Sequence, residues 1–117
     1  MSHTVTVKTQ FKNHTILKKV CDRLNYKMTK GAVTQKFYSS SASGDISIEI
    51  PGWRYPIVIN NGDASMDNFN GSWGDQKQFD KLTQDYAKEV SIQEAHNAGY
   101  TVEQRQLVDG TVELYLT

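Results

Sequence analysis

The sequence lacks the cysteine pairs that cross-link small secreted domains and the long apolar segments that span a membrane. It has 117 residues and a single cysteine, Cys21, so no internal disulfide can form. A chain of this length can bury one core without such a link. The sequence contains no apolar run of membrane-spanning length, and its first ten residues lack the apolar stretch of a signal peptide. These absences predict a single domain over residues 1–117 that is located in the cytoplasm and makes no contact with a membrane.

The sequence also has no net charge, because 13 basic side chains balance 13 acidic ones. The balance hides an asymmetry. Residues 1–55 carry nine Lys and Arg against three Asp and Glu, and residues 56–117 carry four against ten. The split indicates either a basic binding face or two halves that attract each other within one fold. We favour the second interpretation, since solvated helix faces are commonly charged.

Proline is scarce, and both prolines lie in "PGWRYP", residues 51–56. They flank Trp53, Arg54 and Tyr55. Because proline restricts its own φ angle and the residue before it, the segment is expected to form a stiff connection between two strands. One interpretation is that Trp53 folds back over the core. The other is that Trp53 or Tyr55, with Arg54 and with Trp73 from "GSWGD", anchors a binding partner.

Two segments have helical periodicity. Asn13 is a plausible N-cap for the first helix, which Asn25 can end in a left-handed conformation. Asp75 is a plausible N-cap for a longer second helix, which Gly99 ends. The apolar positions are Ile16, Leu17, Val20, Cys21 and Leu24 in the first helix, and Phe79, Leu82, Tyr86 and Val90 in the second.

Strand patterns fill most of the remaining chain. Alternation predicts a first strand over 3–11, and the stretch from Lys27 predicts an irregular strand followed by a turn. "DISIEI" and "YPIVIN" predict two more strands, "NNGD" a tight hairpin turn, and 66–69 a short strand. The last predicted element is a hairpin that turns at Asp109 and Gly110.

The element order predicts an α+β fold, with two helices packed on one face of a mostly antiparallel sheet of ferredoxin-like type. The second helix has a further apolar stripe, with Ile92 and Ala95 nearly opposite the first. One sheet cannot cover both stripes, so a neighbouring segment or a second molecule must cover Ile92. Ile92 is therefore a fifth partner-binding candidate, and a homodimer is one of the alternatives.

Residues suited to catalysis or metal binding are scattered. His3, His14, His96 and Cys21 do not occur at spacings that converge on one ion, so we expect no metal. Cys21 lies on the apolar stripe of the first helix, which is typical of a packed, unreactive thiol. No glycine-rich loop of phosphate-binding form is found, and no cofactor is expected. The sequence predicts no catalytic residues, and an enzymatic activity is unsupported.

Three stretches carry a family resemblance: "MSHTVTVKTQ" at the start, "LTQDYAKEVSIQEAHNAGYTV" in the second helix and "DGTVELYL" at the end. Together they resemble the hypothetical chloroplast reading frame thirty-five family, small proteins of cyanobacteria and plastids. The resemblance implies the cytoplasm of a cyanobacterium or the stroma of a plastid as the location. A cyanophage-encoded member, acting in the host cytoplasm, is a further interpretation. The resemblance implies no activity and no functional residues.

Taken together, these patterns predict a small non-enzymatic interaction module that binds a protein partner. The alternative is an RNA-binding module that uses a basic and aromatic sheet surface to stack bases and contact phosphates. The zero net charge and the absence of an aromatic-rich strand motif favour the protein partner.

Overall fold

The structure is a computed structural model that describes residues 4–106 and 112–117. Within these residues the chain forms two helices, seven strands and a short 3-10 turn, and the predicted α+β class is confirmed. Neither of these helices is long and apolar enough to cross a membrane. The elements are β1 (Val5–Val7), α1 (His14–Leu24), β2 (Lys27–Lys36), β3 (Ser41–Glu49), β4 (Ile57–Asn60), β5 (Asp63–Met66), α2 (Gln76–Asn97), β6 (Val102–Gln106) and β7 (Val112–Leu116).

The chain divides into two compact units, one up to Tyr86 and one from Ala87 onward. The first unit holds α1, the first part of α2 and an antiparallel sheet in the order β1-β5-β4-β3-β2. The second unit holds the rest of α2 and the β6–β7 hairpin, in which Val102 pairs with Leu116. The predicted turn at Asp109 and Gly110 lies outside the described residues, as does His3.

The large sheet is a meander of four strands that β1 extends at the β5 edge. A ferredoxin-like unit has two strands between its helices, whereas four strands lie between α1 and α2. The turn between β4 and β5 is tight. Asn61 and Gly62 join β4 to β5 with φ angles of 50° and 89°. This is the left-handed pair that the "NNGD" pattern predicts.

The core of the first unit lies on one face of this sheet. Cross-strand register places the buried side chains of Met28, Ile46, Ile48, Ile57, Ile59, Ala64 and Met66 on that face. The apolar sides of α1 and of the first part of α2 supply the other half of the core. Phe11 is fully buried, and its ring contacts the rings of Phe79 and Tyr86.

The predicted helix ends are confirmed. Asn13 Oδ1 accepts a hydrogen bond from the Ile16 N–H at 3.0 Å. Asn25 ends α1 in the left-handed conformation with φ 62°. At α2, Asp75 Oδ1 accepts from the Lys77 N–H at 3.0 Å, and Gly99 follows the helix with φ 90°. Side-chain capping and left-handed termination are local effects, so a few neighbouring residues suffice to predict them.

Two strand predictions were wrong in their extent or position. The first strand stops at Val7, because Gln10 takes a φ of 60° and the Phe11 N–H donates to the Gly62 carbonyl at 2.9 Å. That bond turns the chain so that Phe11 enters the core. No strand covers 66–69 either, since β5 ends at Met66 and Phe69 opens the 3-10 turn.

The β2–β3 hairpin is bent. It contains the predicted irregular strand, but β3 begins at Ser41, inside the stretch that was expected to form the turn. Its register shifts between Lys30 and Val33. A Cβ at Gly44 would lie 2.2 Å from the Ile59 carbonyl oxygen, so the backbone of β3 passes very close to β4 at this point. The hairpin tip then reaches the start of β1, where Thr4 Oγ1 hydrogen-bonds Ser40 Oγ. This bend carries the tip to the loops at the opposite side of the sheet.

Candidate interaction surface around Trp73

Three connections of the first unit converge on the indole ring of Trp73. They are the tip of the β2–β3 hairpin, the β3–β4 connection and the β5–α2 connection. Phe69 stacks on the ring with centroids 4.8 Å apart and an interplanar angle of 26°. Tyr38 and Tyr55 approach it with centroids at 5.7 Å and 6.0 Å. Residues distant in sequence thus form one aromatic cluster.

Arg54 lies over this cluster. Its guanidinium carbon is 4.4 Å from the centroid of the Trp73 ring and 5.6 Å from that of Tyr55. The Arg54 backbone N–H donates to the Trp73 carbonyl at 2.8 Å. The side chain and the backbone therefore both hold Arg54 to the β5–α2 connection. Cation–π contacts of this kind contribute about 0.5–1 kcal/mol at exposed sites.

The cluster faces solvent. The Tyr38 side chain is 67% exposed and that of Phe69 is 42% exposed. Arg54 is exposed, and Tyr55 and Trp73 are half-buried. Beneath them the buried ring of Phe37 contacts Tyr55, with centroids 5.6 Å apart. We refer to this surface as the Trp73 patch, and it consists of Tyr38, Arg54, Tyr55, Phe69 and Trp73.

Backbone strain accompanies the patch. Phe69 and the following residue, Asn70, take φ angles of 46° and 53°. Asparagine tolerates this left-handed region, whereas a bulky residue such as phenylalanine rarely adopts it. A conformation of this kind costs about 1–3 kcal/mol and persists only where the surrounding structure enforces it. Strained residues of this kind cluster at binding and active sites in proteins.

Trp53 lies apart from the patch and has a structural environment. It is half-buried, and its Nε1–H donates to Gln78 Oε1 at 3.0 Å. Gln78 in turn donates from Nε2 to the Pro51 carbonyl at 3.1 Å. A Cβ at Gly74 would come within 2.4 Å of the Trp53 ring, so the indole lies directly on the backbone before α2. These contacts attach "PGWRYP" to the first turn of α2.

The five partner-binding candidates predicted from the sequence therefore lie in different places in the structure. Arg54, Tyr55 and Trp73 meet in the Trp73 patch, whereas Trp53 lies on Gly74 and bonds to Gln78. Ile92 lies in the part of α2 that belongs to the second unit, where it is half-buried.

Sequence reasoning missed Tyr38 and Phe69 as members of the patch. A signal was present in "FYSSS" and "DNFNG", where large aromatic rings stand among turn-forming polar residues. Aromatic residues are rarely needed to form a turn, and they are enriched at binding surfaces.

The remaining candidate chemistry is sparse. Within the described ranges, no group of three or more His, Cys, Asp or Glu side chains is placed to hold a metal ion. Cys21 is fully buried, and burial raises the pKa of its thiol to about 11.

Several surface cations pair with a nearby acid. Examples are Lys18 with Asp22 in α1 and Lys27 with Glu49 between β2 and β3. Both acids belong to residues 1–55, so these pairs leave the basic excess of that half unchanged.

The family assignment follows from a comparison with protein-family models. The model described as a protein of unknown function, DUF1257, matches residues 21–115. The chain belongs to the DUF1257 family. The match includes every residue of the Trp73 patch, so the patch lies inside the DUF1257 region. No curated protein and no solved structure matches the chain. The expectation of an uncharacterised family is confirmed.

Proposed function

We propose that this DUF1257 member is a non-enzymatic interaction module that binds a protein partner through the Trp73 patch. The observation that carries the proposal is the arrangement around Trp73, where four side chains from three connections contact one ring and two of the rings remain largely exposed. Tryptophan, tyrosine and arginine are the residues that most often dominate the energetics of protein interfaces.

The patch is also preorganised. Pro51 and Pro56 restrict the connection that carries Arg54 and Tyr55, and the bond from Arg54 to the Trp73 carbonyl links two of the three connections. Binding to a surface that is already ordered loses less conformational entropy. A rigid aromatic surface therefore supports recognition, whereas a purely structural cluster would gain stability by burying Tyr38 and Phe69.

RNA binding is the weaker alternative for this surface. RNA-binding modules stack bases on open ring faces and collect phosphates with several basic side chains. Phe69 and Arg54 already lie against the ring of Trp73. The exposed charged residues of the connections 37–40, 51–56 and 67–75 are Arg54 and Asp75, because Asp67 is buried. These connections therefore supply one cation, whereas binding to a polyanion requires several.

Site-specific photo-cross-linking tests the proposal. A benzophenone amino acid at position 38 is placed on the patch, and the same amino acid at exposed Gln84, farther along α2, is the control. In an extract of the source organism, we expect a discrete protein adduct at position 38 that survives nuclease treatment and is absent at position 84. Loss of the adduct after nuclease would favour RNA, and equal adducts at both positions would contradict a specific surface.

We further propose that the protein acts in the cytoplasm of a cyanobacterium or the stroma of a plastid, or in the host cytoplasm if it is encoded by a cyanophage. The supporting observations are the resemblance at the two ends of the chain and the single, unpaired Cys21. Immunoblotting of fractionated source cells tests this location, and recovery in an extracellular fraction would contradict it.

A further inference from the structure

Arg54 has an unused hydrogen-bonding edge. Among residues 4–106 and 112–117, no carboxylate lies within ion-pair distance of its guanidinium group. Its guanidinium group lies over the rings of Trp73 and Tyr55. By contrast, Arg105 in the second unit lies over the Tyr115 ring and also pairs with Glu103 at 3.2 Å. Among the described residues, Arg54 thus combines contacts with two aromatic rings and the lack of an ion pair.

This geometry matches the chemistry of carboxylate recognition. A guanidinium group is planar, and its five N–H donors lie in that plane and point outward from its edges. A carboxylate accepts two of these hydrogen bonds in parallel. The contacts with the Trp73 and Tyr55 rings restrict the Arg54 side chain before binding, so fewer side-chain rotamers have to be lost.

The neighbourhood of Arg54 specifies what must accompany the carboxylate. Tyr38 and Phe69 are exposed apolar rings on the same patch. Arg54 is the one Lys or Arg in the connections 37–40, 51–56 and 67–75, so it suits an occupant with a single negative charge better than one with many. The surface therefore suits one carboxylate beside a large apolar side chain rather than a run of acids or a phosphate backbone.

We propose that the Trp73 patch recognises a partner segment in which one glutamate or aspartate side chain binds Arg54 and an adjacent aromatic or aliphatic side chain packs on Tyr38 and Phe69. This inference rests on the proposed protein-binding function and adds the chemical class of the partner. A segment of this kind neutralises Arg54 and covers the exposed rings in one contact.

A blocked pentapeptide provides the probe. Its sequence is alanine, phenylalanine, glutamate, leucine and alanine, and the matched control peptide has glutamine in place of glutamate. Binding is followed by NMR through the indole N–H signal of Trp73 and the Nε–H signal of Arg54. We expect the glutamate peptide to bind about tenfold more tightly than the glutamine peptide, because a hydrogen bond to a charged group is stronger than one to an amide. This preference should shrink as salt concentration rises.

Two variants separate the roles of charge and surface. Arg54→Gln removes the cation, so the glutamate and glutamine peptides should then bind with about equal affinity. Lys30→Gln removes a cation from an exposed position on β2 and should leave the preference unchanged. Equal binding of the two peptides by the wild type, no binding of the glutamate peptide, or an unchanged preference in Arg54→Gln would each overturn the inference. Tighter binding of a uridine hexanucleotide than of the glutamate peptide would overturn it as well.

The outcomes of the two proposals can be told apart. If Arg54→Gln still gives the same nuclease-resistant protein adduct at position 38, with the same yield, the patch binds a protein without using a carboxylate. The inference about Arg54 then fails while the proposed function stands. If the protein with the benzophenone amino acid at position 38 and an unchanged Arg54 forms no protein adduct, the proposed function itself fails.

Discussion

The indole N–H of Trp53 donates a hydrogen bond to Oε1 of Gln78, 3.0 Å away. This bond joins the β3–β4 connection to the first turn of α2. It also separates the two tryptophans by role, because Trp53 holds the connections together and Trp73 lies in the exposed patch. Substitutions of Trp53 and Trp73 should therefore have different effects, although both residues are tryptophans.

Trp53→Ala should lower the free energy of unfolding by about 2–3 kcal/mol, because it removes a half-buried ring and the bond to Gln78. Gly74→Ala should also destabilise the protein, since its Cβ would fall 2.4 Å from the indole. Urea unfolding measures both values, with exposed Ser72→Ala as the control. A loss below about 1 kcal/mol for Trp53→Ala would show that the ring is a surface anchor instead.

The sequence predicted the parts of this fold that depend on local chemistry. Asn13, Asn25 and Asn61 act through their own backbone neighbours, and each was found where the pattern placed it. The end of β1 was missed because it depends on a bond from Phe11 to Gly62, 51 positions away.

The patch shows the same limit. Arg54, Tyr55 and Trp73 stood out by composition. Tyr38 reaches the patch because the β2–β3 hairpin is bent. Phe69 reaches it because its backbone is left-handed, a conformation that a phenylalanine in the sequence does not predict. Sequence patterns could suggest the residue types of the surface, but the contacts that assemble it are long-range.

Cys21 should react slowly with thiol reagents in the folded protein, because it is fully buried and its pKa is raised from 9.0 to about 11 by desolvation and by the nearby Asp22. The native state favours the protonated thiol, so this contribution to stability is complete below about pH 9. It is lost as the pH rises from about 9 to about 11.

Urea unfolding of wild type and Cys21→Ala at about pH 8 and about pH 10.5 checks this sign. The wild type should lose up to about 2 kcal/mol more than the variant over that interval. Equal losses, or rapid labelling of the folded protein, would argue against a buried thiol.

Phe69→Gly should change the free energy of unfolding by less than about 1 kcal/mol. The variant loses the stack on Trp73 but relieves the left-handed strain, because glycine adopts φ 46° at no steric cost. The core variant Phe11→Ala should cost about 3–5 kcal/mol, since Phe11 is fully buried. Thermal unfolding compares the two, and similar large losses would mean that Phe69 is structural.

Ile92→Asp should leave the mass measured by light scattering at that of one chain. Within a single chain, Ala95 is already buried and Ile92 is half-buried, so the second apolar stripe of α2 is partly covered without another molecule. The wild type should give the same mass. A wild-type dimer that Ile92→Asp dissociates would instead establish this face as a homodimer interface.

The most direct test of the central claim is the affinity of the partner, identified by cross-linking at position 38, for Tyr38→Ala. Tyr38 is 67% exposed, so its removal should leave the unfolding midpoint unchanged. Calorimetric titration should show at least about tenfold weaker binding than the wild type, as expected for an interface residue of the Trp73 patch. Gln84→Ala should bind like the wild type. An unchanged Kd for Tyr38→Ala would contradict the claim that the Trp73 patch is the surface that binds the partner.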